Sequence, residues 1–238
     1  MSLLTAAKEL SAALHGLTFS DPVAYVYNPL EYAWKAHQAY VERFGNGRKR
    51  VLFLGMNPGP FGMAQTGVPF GEIPAVRDWM GICEPVAAPA REHPKRRIQG
   101  FACTRSEVSG RRLWGWVQKQ FGTPEAFFAE CYVVNFCPLI FLEESGRNRT
   151  PDKVPAREMA PVEAACLAHL RRVIDLLEPA WLVGVGAFAE AKFRAMVRPD
   201  EPRQITKISH PSPANPAANK DWEGLVRGQL AAAGVWAG

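Results

Sequence analysis

Apolar residues recur along this chain in two rhythms. Short unbroken runs fall near 50 to 55, 131 to 136, 181 to 185 and 205 to 209, without the alternation of a half-exposed strand. Runs of that length, bounded by turn residues, predict buried strands of a parallel sheet. Around and between them, apolar positions return every three or four residues over roughly 2 to 14, 29 to 44, 74 to 81, 110 to 121, 160 to 177, 187 to 197 and 219 to 233. That is the period of amphipathic helices. The clearest stripe is Val162, Ala165, Cys166, Leu170, Val173, Ile174 and Leu177, with His169 falling on it as a core-edge histidine. Strands separated by helices predict an α/β fold: a short, mostly parallel four-stranded sheet flanked by helices on both faces. With neither an internal repeat nor a linker, residues 1–238 read as a single domain.

Composition narrows the class. Hydrophobic residues make up 47% of the chain, ordinary for a globular protein. No apolar run reaches the length of a membrane span, and Lys8 and Glu9 interrupt the N-terminal leucines. An intracellular protein without a membrane partner is therefore expected, cytoplasmic if bacterial and nuclear if eukaryotic. A net charge of +5 suits a polyanionic partner. Local clusters sharpen this: Arg48-Lys49-Arg50, Lys95-Arg96-Arg97, Arg111-Arg112, and Arg147 with Arg149. Each cluster by itself is equally a solvated surface. Cys83, Cys103, Cys131, Cys137 and Cys166 form no Cys-x-x-Cys pair, which predicts neither a metal site nor a disulfide framework. His15, His37 and His93 have no polar constellation around them and read as structural.

The chemistry gathers after the first strand. Val51-Leu-Phe-Leu-Gly55 runs into Met-Asn-Pro-Gly-Pro-Phe-Gly62, a loop of fixed and permissive backbone around one amide, Asn57. Ligands of open α/β sheets sit beyond such strand ends. On these residues alone, a plain structural turn is an equal alternative. A second rigid loop, His210-Pro-Ser-Pro-Ala-Asn-Pro216, follows the fourth strand, and the third feature is Asn135, an amide ending the apolar run Tyr132-Val-Val. Gly184-Val-Gly186 imitates a dinucleotide fingerprint but lacks its third glycine and its acidic partner. Loops at 84 to 109 and 143 to 156 are long for a compact domain, which often marks function.

Together these segments resemble the uracil-DNA glycosylase superfamily, and the stretch Gly55 to Phe70 resembles its single-strand-selective monofunctional branch. The likeness extends from about Tyr25 to Trp222. It implies a three-layer α/β/α fold and hydrolysis of the N-glycosidic bond of uracil in DNA after base flipping. By the same resemblance, 5-hydroxymethyluracil is a further substrate. It assigns catalysis to Asn57, which positions water, and His210, which donates to the base as negative charge grows there. Base binding would fall to Met56, Gly59, Met63, Phe70 and Asn135. A wedge filling the vacated stack would come from Pro213, Ala214, Asn215 and Pro216, with Lys220 on the backbone. Ala214 stands where a larger, often basic, residue is usual. The resemblance implies no cofactor and no metal, the scattered cysteines excluding the iron–sulfur cluster of other branches. The partner would be single- and double-stranded DNA carrying damaged bases, and the enzyme a monomer. Two alternatives stay open: a same-fold glycosylase acting on deaminated purines, and a non-catalytic nucleic-acid binding module.

Overall fold

The computed structural model describes residues 2–236. Its centre is a four-stranded parallel sheet of β2 (Val51–Gly55), β3 (Cys131–Asn135), β6 (Trp181–Val185) and β7 (Gln204–Ile208), in the order β3-β2-β6-β7. These are the four runs read from the sequence, and all four are parallel. Every residue of β2 is buried, as a central strand covered on both faces requires. Its register sets Gly55 opposite Asn135. The strand order reverses direction at β2, with β3 to one side and β6 then β7 to the other, so a crevice forms beyond its carboxyl end.

Helices α1 (Leu3–Leu14), α3 (Trp34–Phe44), α5 (Val108–Phe121), α7 (Ala156–Leu177), α8 (Ala187–Met196) and α9 (Ala218–Ala233) match predicted periods. The period from 29 to 44 is divided, because α2 (Pro29–Tyr32) stops at Ala33, where the Gly67 turn packs on the backbone. The segment expected as a helix at 74 to 81 is a single wide turn, Ala75–Trp79. Helix α7 starts earlier than its stripe suggested and carries Pro161 inside it.

Four elements lie outside the sequence reading. Strands β1 (Tyr25–Tyr27), β4 (Ile140–Leu142) and β5 (Asn148–Arg149) form a small antiparallel sheet. Helix α6 (Pro124–Glu130) is capped by Thr123, whose hydroxyl accepts from the Ala126 amide, with Pro124 at its first position. The short α4 (Met63–Thr66) ends in Gly67, which takes a left-handed φ of 70°. The core between sheet and helices is dominated by aromatic residues, among them Phe53, Trp114 and Phe127, all fully buried.

Candidate active site

A cavity of about 320 Å³ opens at the carboxyl ends of the parallel strands. Met56, Asn57, Gly59, Met63, Phe70, Asn135 and His210, the residues expected for catalysis and base binding, all line it. They come from four separate stretches of the chain, gathered by the sheet.

Sheet pairing continues past the strand ends into the cavity wall. The Phe136 amide donates to the Gly55 carbonyl and the Cys137 amide to that of Met56, both at 2.9 Å. Asn57 is thereby held beside the segment after β3, and its Nδ2 donates to the Leu139 carbonyl at 3.3 Å. A carbonyl only accepts, so the amide nitrogen is committed and Oδ1 is left as an acceptor. The loop beyond is tied from beneath by Gln65, which is buried. Gln65 donates to the Pro60 and Arg97 carbonyls and accepts from the Gln99 and Gly100 amides. His37 adds a bond from Nδ1 to the Gly67 carbonyl at 2.9 Å.

Gly55 is glycine because Asn135 and Phe70 lie on its backbone. A Cβ there would stand 2.6 Å from Phe70 Cε2 and collide with Asn135 Oδ1. Phe70 itself takes a φ of 53°, uncommon for an aromatic residue and costly by roughly 1–3 kcal/mol. The surroundings enforce it: its carbonyl accepts from Trp114 Nε1 at 3.1 Å and from the Glu72 amide at 2.7 Å. Gly110 lets α5 come this close, since a Cβ there would strike the Phe70 carbonyl. Asn135 Nδ2 lies 3.4 Å from Met63 Sδ, a weak acceptor that leaves the amide open to a better partner.

His210 follows β7, and its ring centroid is 6.3 Å from that of Phe70. The Ser212 amide donates to His210 Nδ1 at 3.0 Å, so the neutral ring carries its proton on Nε2. Burial pushes the imidazole below its ordinary pKa and keeps it neutral. Gly186 packs on this ring with a φ of 93°. The imitation dinucleotide motif is thus explained by packing, because a Cβ at Gly184 would collide with α8.

Of the residues expected at a wedge, Pro213, Ala214 and Pro216 are exposed beyond His210, and Lys220 is exposed in the first turn of α9. Asn215 turns inward, its Nδ2 donating to the His210 carbonyl at 3.0 Å. Arg112 is not mere solvated surface. It donates to the Pro211 carbonyl and to Asn219 Oδ1, both at 2.9 Å, and braces the loop. Arg96 and Arg105 lie against Phe61, at 5.4 and 4.1 Å from the ring centroid.

Sequence reasoning missed three residues that line the cavity, Glu107, Asn148 and Thr150. All three belong to the two long loops, whose length was the available signal. Asn148 Nδ2 donates to the Pro58 carbonyl at 3.3 Å. Glu107 caps α5 through Ser109, and its carboxylate packs onto Gly59 and Gly62. Among the described residues, no three His, Cys, Asp or Glu side chains stand together as a metal set.

Residues 42–226 match the family model described as the Uracil DNA glycosylase superfamily. The chain is 50% identical over 222 residues to a Bos taurus protein named single-strand selective monofunctional uracil DNA glycosylase, covering 93% of this chain and 82% of that one. To the Mus musculus protein of the same name it is 49% identical over 227 residues, covering 95% and 81%. The crystal structure of wild-type Pedobacter heparinus SMUG2 shares the fold, with a TM-score of 0.68 over 99% of this chain and 98% of that one, at 18% identity.

Proposed function

Because this chain belongs to the uracil-DNA glycosylase superfamily, we propose that it hydrolyses the N-glycosidic bond of uracil in DNA as a monofunctional enzyme, leaving an abasic site. The observation that carries this reading is the fixed, complementary orientation of two groups on one cavity. Asn57 offers Oδ1 as an acceptor because its nitrogen is bound to Leu139. His210 offers Nε2–H as a donor because its Nδ1 accepts from Ser212.

Breaking the C1′–N1 bond leaves an oxocarbenium-like sugar and sends the bonding electrons into the base. So electrophilic a carbon needs water in place more than it needs a strong base. Asn57 Oδ1 accepts one water proton and aims the oxygen at C1′. His210 Nε2–H donates to the uracil O2 as negative charge grows, a contribution on the order of 3 kcal/mol. A neutral imidazole suits this role, since it need not give up its proton. The water oxygen ends on C1′ and its proton passes to solvent, with uracil released as the other product.

Phe70 supplies the stacking face, and Asn135 accepts from N3–H and donates to O4. Met56, Gly59 and Met63 form the wall at the 5-position, which accommodates 5-hydroxymethyluracil. Pro213 to Pro216 fill the vacated stack, and Lys220 contacts backbone. The enzyme works as a monomer on single- and double-stranded DNA inside the cell, cytoplasmic if bacterial and nuclear if eukaryotic. Oligonucleotides containing uracil, 5-hydroxymethyluracil, xanthine or hypoxanthine test the proposal together. Release of uracil without a borohydride-trapped adduct is expected. Faster release of the purines establishes the deaminated-purine reading, and binding with no release establishes a non-catalytic module.

A further inference from the structure

Glu107 is a carboxylate in a cavity that receives a base, and no step of the mechanism above uses it. Its Oε1 accepts from the Ser109 amide at 3.2 Å, which fixes the side chain at the start of α5. Its Oε2 is pressed onto Gly59, where any Cβ would collide with it, and Cγ would stand 2.9 Å from a Cβ at Gly62. Both glycines of the Pro58-Gly-Pro-Phe-Gly62 turn therefore make room for this one side chain. The Glu72 carboxylate underneath accepts from the Glu107 amide at 2.5 Å and from the Ser106 hydroxyl at 3.0 Å. Burial raises the Glu107 pKa, with Glu72 adding to the effect and Ser109 opposing it.

The edges of a bound pyrimidine leave one place for such a group. With O2 facing His210, and N3–H and O4 facing Asn135, only C5 and C6 remain for the Gly59–Gly62 wall. We propose that Glu107 is a specificity-determining residue that selects pyrimidines bearing a hydrogen-bond donor on the 5-position. This rests on the base-binding reading given under Proposed function. With Oε1 held by Ser109, Oε2 is the acceptor on the 5-side of the base. A hydroxyl or amine carried on a 5-methylene donates to it. A bare methyl removes water from Oε2 and returns nothing, which penalises thymine. Unsubstituted uracil leaves space for water and is indifferent.

Glu107→Gln tests this, because it keeps an acceptor for Ser109 and turns the Oε2 position into a donor. The readout is the ratio of kcat/KM between substrates on one preparation, which does not depend on the folded fraction. Relative to uracil, 5-hydroxymethyluracil should fall roughly tenfold, while 5-formyluracil, whose substituent only accepts, should rise. Unchanged ratios, or a parallel fall on all three substrates, reduce Glu107 to a helix cap and overturn the proposal. If Glu107→Gln yields no folded protein, Glu107→Asp keeps the cap and withdraws the carboxylate from Gly59. The preference for 5-hydroxymethyluracil should then weaken in the same way, and its persistence overturns the proposal. A wild-type enzyme that releases no uracil refutes the parent reading instead, a result visible before any variant is made.

Discussion

The two loops that carry the catalytic candidates are built on opposite plans. The first, from Met56 to Glu72, is mostly buried and held along its length by Gln65, His37, Trp114 and pairing from the β3 side. The second, from His210 to Lys220, is held at its base by Ser212, Asn215, Asn219 and Arg112, while Pro213, Ala214 and Pro216 stand in solvent. Chemistry on a sugar carbon requires atoms fixed to a fraction of an ångström, and buried satisfied polar groups supply that. Insertion into a duplex requires an exposed tip on a firm root. The contrast separates a chemical loop from a mechanical one.

The largest test of that division is Asn57→Ala. Base release should fall about a thousandfold in single-turnover assays, while DNA affinity stays close to wild type. A variant that keeps its rate removes Asn57 from the mechanism and the first loop from the chemistry. Next in size is Asn135→Asp, expected to lower uracil release roughly a hundredfold, because a carboxylate opposes O4 in a desolvated pocket. Uracil release at the wild-type rate would make Asn135 a strand-end amide without a reading role.

The buried loop should also tie stability to pH, as the exposed one does not. Burial lowers the His37 pKa from 6.5 to about 4, with the Gly67 bond opposing. Between those values the unfolded chain binds the proton more readily than the folded one. Stability is thus fully present above pH 6.5 and is lost as pH falls toward 4. Denaturant melts should show about 2 kcal/mol less stability from this group at pH 5 than at pH 7. His37→Asn, which keeps a donor toward Gly67 but does not titrate, should abolish that share. An unchanged pH dependence in the variant would place the titration elsewhere.

The smallest effect belongs to the exposed tip. Ala214→Arg should tighten duplex binding a few-fold and steepen the log–log salt dependence by about 0.9. An unaltered salt slope would show that position 214 does not meet the DNA backbone.

The sequence disclosed the parallel sheet and the catalytic pair for the same reason: both depend on local signals. Unbroken apolar runs such as Val51 to Leu54 have one reading when turn residues bound them. The antiparallel sheet stayed hidden because β5 is only two residues long and β1 and β4 three, too short for a period to show. Helix α6 did carry a signal, Thr123-Pro124-Glu125, in its cap and not in its stripe. Glu107 and Arg112 were visible only as charges. Their meaning depends on what packs against them, Gly59 and Gly62 for one and the Pro211 carbonyl for the other, and no spacing encodes such contacts.

Helix α5 touches both loops within its first two turns. Glu107 and Gly110 meet the Gly59 turn and Phe70, Trp114 holds the Phe70 carbonyl, and Arg112 holds Pro211 beside His210. The two loops therefore share one reference body, and their thermal displacements are correlated. For correlated displacements, the variance of a separation is smaller than the sum of the separate variances. The spacing between the Asn57 amide and the His210 ring thus fluctuates less than either group does against the rest of the molecule.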